Sequence, residues 1–195
     1  VRACGFGPEA RPSVAPDDAG LMRTVGFDAL DLHPTKRAVR WSRAGIQLDL
    51  SAVAKGYAVD NLAALLDAAG ASRYMVEIGG EIRVQGDGPV GTAWRIGVES
   101  PQSGTARNPA LAVALRDAAM ATSGDYRNFY QLDGRSVSHT IDPRTGSPVT
   151  HDVGSVTVLC ATAAEADAWA TALNVLGPGL GESVASRAGV DYLMI

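Results

Sequence analysis

Three groups of residues in this chain have the types and spacing to do chemistry. Asp167 and Thr171 are four residues apart in the apolar-periodic run 163–176, so on a helix they stack on one face. A carboxylate beside a hydroxyl is a small, oxygen-only half-site that suits Mg²⁺ and leaves room for water and phosphate oxygens. Taken alone, such a pair reads more simply as an exposed or capping pair. The second group is Lys55, one turn into a run that starts beside Asp49 and Ser51. The unpaired N–H groups of a helix start point outward along the positive end of the dipole, a ready place for phosphate, and the lysine adds a mobile positive charge there. A solvated helix lysine is the plain alternative, yet Lys36 and Lys55 are the only lysines among otherwise arginine basic residues. The third group is Ser138-His139-Thr140-Ile141-Asp142-Pro143-Arg144-Thr145-Gly146-Ser147-Pro148, which holds one of three histidines. Its two prolines and Gly146 exclude a helix interior and make it an ordered loop leaving a strand. By itself the loop reads equally as a reactive site or as a tight connection in which His139 caps a strand end.

The elements that must position these groups follow from periodicity and turn chemistry. Residues 1–20 are rich in Gly, Pro, Ala and Asp and read as an irregular lead-in, with a short helical turn over 21–26. The runs 27–32, 38–41 and 46–50 read as a small meander of strands, the last alternating as though entering a core. Ser51 is the expected N-cap of a helix over 52–69, with Val53, Ala54, Tyr57, Ala58, Leu62, Leu65 and Leu66 at helical spacing and Gly70 as the stop. Strands are expected over 74–78 and 81–85 around Gly79-Gly80, over 94–99 and 111–115, and over 119–123, closed by Gly124. A hairpin around Asp133-Gly134 joins 126–132 to 136–140 and delivers His139 to one end of a sheet. Strand 153–160, helix 163–176 ended by Gly177-Pro178, helix 180–188 and strand 192–195 complete the chain. Paired strands with helices inserted between groups predict an α+β fold with a mostly antiparallel sheet, in one domain over 1–195.

At 195 residues, 46% hydrophobic and 19% charged, the chain is able to bury a sizeable core. A net charge of -4 without a Lys/Arg run argues against nucleic acid or an anionic membrane surface as the main partner. No stretch reaches the ~18 apolar residues of a membrane helix. Cys4 and Cys160 match no metal-ligand spacing, which points to two thiols and leaves a disulfide open.

The order of motifs carries a resemblance. His139-Thr140-Ile141-Asp142-Pro143-Arg144-Thr145-Gly146, preceded by Met120-Ala121-Thr122-Ser123-Gly124-Asp125-Tyr126-Arg127, resembles the paired signature of the ApbE-type FAD:protein FMN transferases. The blocks 48–60, Glu77-Ile78-Gly79-Gly80-Glu81-Ile82 and Ala166-Asp167-Ala168-Trp169-Ala170-Thr171-Ala172-Leu173 agree in the same order. The resemblance spans the chain but only the later two-thirds or so of a typical member, which implies a missing N-terminal portion.

That resemblance implies an ApbE-like fold and transfer of FMN from FAD to a Thr or Ser hydroxyl of a target flavoprotein, with release of AMP and with Mg²⁺ as cofactor. It places metal ligands at Asp167, Thr171 and the carbonyl of Ala52; where some members carry a second Asp, this chain has Ala170. Asp49, Lys55 and Ile141 match flavin-nucleotide contacts, and Gly79, Gly80, Thr122, Ser123 and Gly124 match the family's motifs. His139 takes the general-base role, with Asp142 as the alternative. The expected location, by analogy, is the extracytoplasmic side of a bacterial membrane, periplasmic or lipid-anchored. Two other functions fit the same motifs, an FAD pyrophosphatase and an FAD-binding module without turnover.

Overall fold

The computed structural model describes Gly20 and residues 22–101, 109–124, 129–132 and 135–195; at 109–110, 129–132 and 135–137 the description is of backbone alone. Contacts divide the chain into two compact units. One draws on Val1–Asp49 and Asn128–Thr150, the other on Leu50–Arg127 and His151–Ile195.

The first unit contains two hairpins. Strands β1 (Leu30–His33) and β2 (Ala38–Trp41) pair antiparallel across a 3₁₀ turn at Pro34–Lys36, whose exit residue Arg37 is left-handed at φ 48°. The expected third strand of this meander, 46–50, is irregular backbone, and Leu48 and Leu50 are exposed. Alternation alone does not make a strand; among the described residues the segment joins none of the sheets. The second hairpin, β8 (Phe129–Leu132) and β9 (Arg135–Ser138), forms as its turn chemistry predicts, although Asp133 and Gly134 themselves lie outside the described residues, as do Asp125, Tyr126 and Cys4.

The second unit is built on a five-stranded antiparallel sheet. Its order is β11 (Asp191–Met194), β10 (Ser155–Cys160), β7 (Ala118–Gly124), β4 (Glu81–Gln85) and β3 (Tyr74–Ile78). Helices α1 (Ala54–Ala68), α2 (Ala163–Leu176) and α3 (Leu180–Ala188) pack on it. Val156, Val158 and Ala121 meet Ala166, Ala170 and Leu173 of α2 and Ala185 of α3, while Val76 and Ala119 meet Val59 and Ala63 of α1. The alternate residues Ile82, Val84 and Met120 pack against Ile96, Val98 and Leu115 of a separate hairpin, β5 (Trp94–Glu99) and β6 (Pro109–Leu115). The sheet is thus apolar on both sides, which is why β10 is buried from Ser155 through Val158.

Helix α1 differs from its sequence pattern in two respects. Its N-cap is Val53 rather than Ser51, because residues 51–53 form a turn in which the Leu50 carbonyl accepts from both Val53 and Ala54. Its buried face is Gly56, Val59 and Ala63, whereas Tyr57, Leu62 and Leu65 are exposed. Small residues win that face because α1 lies directly on the start of α2. A Cβ on Gly56 would sit 2.2 Å from the Ala163 carbonyl oxygen.

Candidate active site

The start of α2 is held from two directions. Thr162 caps it, accepting from the Glu165 N–H at 3.3 Å, and its hydroxyl donates to Glu165 Oε2 at 3.0 Å. Asp60, on α1, accepts from the N–H groups of Ala163 (3.0 Å) and Ala164 (2.9 Å) and from Arg83 Nη1 on β4 (2.7 Å). A carboxylate at a helix N-terminus satisfies its orphan donors and complements the dipole. One side chain therefore ties helix, helix and sheet together immediately beside the candidate site.

Asp167 is 2% exposed, one turn along α2. Its Oδ2 accepts from the backbone N–H of Gly56 at 3.0 Å, and its Oδ1 lies 3.9 Å from Lys55 Nζ. Gly56 is the third residue of α1, so its N–H is one of the helix-start donors with no partner inside the helix, and Asp167 satisfies it. Thr171, the next turn of the same face, has its hydroxyl 3.0 Å from that of Ser123 on β7. Alternation along β7 sends the neighbouring Thr122 to the other side, where its hydroxyl meets Thr157 at 2.8 Å across the β7–β10 ladder. Gly124 ends β7 opposite Ser155.

The residue that sequence reading passed over is Glu81. It is 1% exposed at the first position of β4, and one carboxylate oxygen is bound by the Lys55 ammonium. The other, Oε2, has no hydrogen-bond partner among the described residues. Burial pushes its carboxyl up from the ordinary range; contact with Lys55 opposes that, and the nearby Asp167 adds to it. Gly79 and Gly80 turn β3 into β4 at φ 63° and 104°, and a Cβ on Gly79 would meet Lys55 Cδ at 3.4 Å and Glu81 Oε2 at 3.6 Å. Polar Glu81 and Arg83 alternate with apolar Ile82 and Val84, a pattern that normally marks a solvated face; here α1 covers it and answers with Lys55 and Asp60.

In this unit the structure therefore gathers Lys55, Gly79, Glu81, Asp167 and Gly56 around one point, with Thr171 and Ser123 one turn further along α2. Among the described residues no three His, Cys, Asp or Glu side chains cluster into a metal cage. A divalent cation would rely on Asp167, the Thr171 hydroxyl, the Ala52 carbonyl, water and substrate oxygens, a hard-donor set suited to Mg²⁺. Ala170 is fully buried in the core cluster of α2 and offers no ligand.

Asp49, His139 and Ile141 belong to the other unit. Asp49 is exposed, and His139 is half-buried directly after β9. The loop that follows is held by its own backbone. Ile141 bridges Pro148, Asp142 N–H donates to the Ser147 carbonyl (2.9 Å), Gly146 N–H donates to the Asp142 carbonyl (2.8 Å), and Val149 N–H donates to the Thr140 carbonyl (3.0 Å). The Asp142 carboxylate accepts the Arg144 N–H (2.8 Å) and a two-pronged grip from its guanidinium, at 2.9 Å from Nε and 2.7 Å from Nη2. The guanidinium holds the Asp142 carboxyl below its usual range, which makes it a poor proton acceptor.

An antiparallel sheet with a lysine–carboxylate cluster where two helices start defines an α+β protein. The ApbE family profile matches residues 1–194, and the chain belongs to that family. It is 43% identical over 197 residues to an FAD:protein FMN transferase of Vibrio cholerae and 40% identical over 201 residues to one of Escherichia coli K12. Those alignments take in 100% of this chain and 58% and 57% of the relatives, so the chain spans a little over half their length. Among solved structures, the flavin transferase ApbE from Vibrio cholerae superposes with a TM-score of 0.86 at 41% identity, over 99% of this chain and 61% of that one. The flavinyl transferase ApbE of Pseudomonas stutzeri, in its apo form, gives 0.82 at 37% identity, over 99% and 60%. The expected α+β, ApbE-like fold is the one observed.

Proposed function

We propose that this chain carries the nucleotide-handling part of an FAD:protein FMN transferase. The observation that carries the reading is the Gly56 N–H bond to Asp167, which sets the start of α1, with Lys55, beside the acidic face of α2. In the reaction, a Thr or Ser hydroxyl of an acceptor flavoprotein attacks the FMN-side phosphorus of FAD. A new P–O bond forms, the pyrophosphate P–O bond breaks, and AMP leaves with that electron pair. His139 accepts the proton of the attacking hydroxyl. Lys55 and the first turn of α1 bind the pyrophosphate oxygens and oppose their charge. Gly79 and Gly80 allow close backbone approach to the ligand, Ser123 borders the site through Thr171, and Asp49 and Ile141 take the flavin-nucleotide contacts that the family resemblance implies. Mg²⁺, held by Asp167, Thr171 and the Ala52 carbonyl, would supply neutralisation of phosphate charge when bound. We place this activity on the extracytoplasmic side of a bacterial membrane.

The test is the intact mass of a threonine-containing acceptor domain incubated with this chain, FAD and Mg²⁺. Addition of one FMN to the acceptor, lost when Mg²⁺ is chelated, is the expected result. Release of FMN and AMP at equal rate with and without acceptor would instead identify a pyrophosphatase. FAD bound but unchanged would identify a binding module.

A further inference from the structure

The Lys55–Glu81 pair is an unusual way to present a lysine to an anion. Glu81 is sealed in the protein at 1% exposure while Lys55 is 45% exposed, so the carboxylate is the fixed partner and the ammonium the mobile one. Asp167 Oδ1 lies 3.9 Å from the same ammonium. Two carboxylates thus face a single cation, and when both are ionised one negative charge is left in excess where phosphate oxygens would bind. Arg83, the next cation along the strand, is already held by Asp60. Among the described residues Glu81 Oε2 is buried without a hydrogen-bond partner, an arrangement that costs stability and that packing alone does not explain.

We propose that Glu81 is a positioning residue for Lys55: it holds the ammonium beside Asp167 and, through its charge, makes pyrophosphate binding at Lys55 conditional on a divalent cation. Without the cation, an incoming phosphate meets a site that is net negative. With it, the balance reverses and the ammonium's remaining donors turn to the ligand. Coupling of this kind is reciprocal, so FAD strengthens cation binding by the factor by which the cation strengthens FAD binding. The inference rests on the flavin reading above for its ligand, but the pairing of Glu81 with Lys55 does not.

Glu81→Gln is the informative variant, because the amide keeps shape and a hydrogen bond to Lys55 while deleting the charge. Two measurements are made on the chain, with its fold checked by circular dichroism. The first is acylation by an N-hydroxysuccinimide ester, read by peptide mass spectrometry as Lys55 relative to exposed Lys36, the only other lysine. Lys55 should react several-fold more slowly than Lys36 in the parent, and the gap should narrow in Glu81→Gln. The second is the FAD dissociation constant by flavin fluorescence, with Mg²⁺ and with chelator. The ratio of the two should fall about tenfold in Glu81→Gln, within the usual range of site–site coupling, mainly because metal-free affinity rises. Glu81→Asp, which retains the charge, should keep most of the Mg²⁺ dependence. Equal Lys55 acylation in parent and Glu81→Gln overturns the proposal whatever FAD does, and so does an unchanged Mg²⁺ ratio. A narrowed gap with no FAD binding by either protein upholds the pairing and overturns the flavin reading instead.

Discussion

Replacing Gly56 by alanine sets two effects of opposite sign against each other. Gly56 is the third residue of α1, where alanine is favoured over glycine by up to about 1 kcal/mol on propensity alone. Against this stands the packing. The new Cβ would lie 2.2 Å from the Ala163 oxygen, 2.5 Å from the Ala163 carbonyl carbon and 2.8 Å from Ala164 Cα. All three are backbone atoms of the α2 start, and that start is pinned by Asp60, so no side chain can swing away. Restoring ordinary contact requires the helices to part by roughly 1 Å, and overpacking of this sort costs about 1–3 kcal/mol or more. Parting them also stretches the 3.0 Å bond from Gly56 N–H to Asp167, and a hydrogen bond to a charged group is worth about 1.5–3 kcal/mol. The net expectation is a loss of about 2–4 kcal/mol. At about 2–4 °C per kcal/mol for a chain of this size, the melting temperature should drop by roughly 5–15 °C. Thermal and urea unfolding followed by circular dichroism measure it. A variant as stable as the parent, or more so, would refute the helix contact and show that propensity decides at this position.

The other predictions follow from the same geometry. Asp60→Asn keeps the shape but opposes an amide donor to at least one of three donors, so it should cost about 2–4 kcal/mol in urea unfolding, as breaking a largely buried ion pair does. Because Arg144 depresses the Asp142 pKa in the fold, that pair stabilises above the unfolded carboxyl pKa of about 3.9, and the contribution is lost as pH falls through the folded value. Arg144→Met should therefore flatten the acid limb of the stability profile and leave the alkaline limb unchanged. His139→Ala should retain near-normal FAD affinity while flavin transfer falls by about 10²–10⁴; the reverse pattern, weak binding with full transfer at saturation, would make His139 a binding residue.

Several elements were legible in the residues because their signals are local. Helix α2 runs over Ala163–Leu176, from a Thr162 cap to the Gly177-Pro178 stop, and α3 over Leu180–Ala188, each as its periodicity and turn residues dictate. The β3–β4 hairpin turns at Gly79-Gly80, and Asp167 and Thr171 share one face of α2 because they are four residues apart. Motif order alone was enough to indicate the family. What the residues did not disclose depends on partners far away in the chain. Residues 46–50 alternate like a strand but are irregular, and α1 buries Gly56, Val59 and Ala63 in place of its larger apolar residues. Glu81 and Asp60 gain their roles only when β4 and the α2 start are brought under α1, more than twenty residues away in one case and a hundred in the other. Periodicity, caps and turns are set by neighbours within a few residues, whereas burial of a charge, close approach of two helices and the partner of one helix-start N–H are set by which surfaces the tertiary fold presses together.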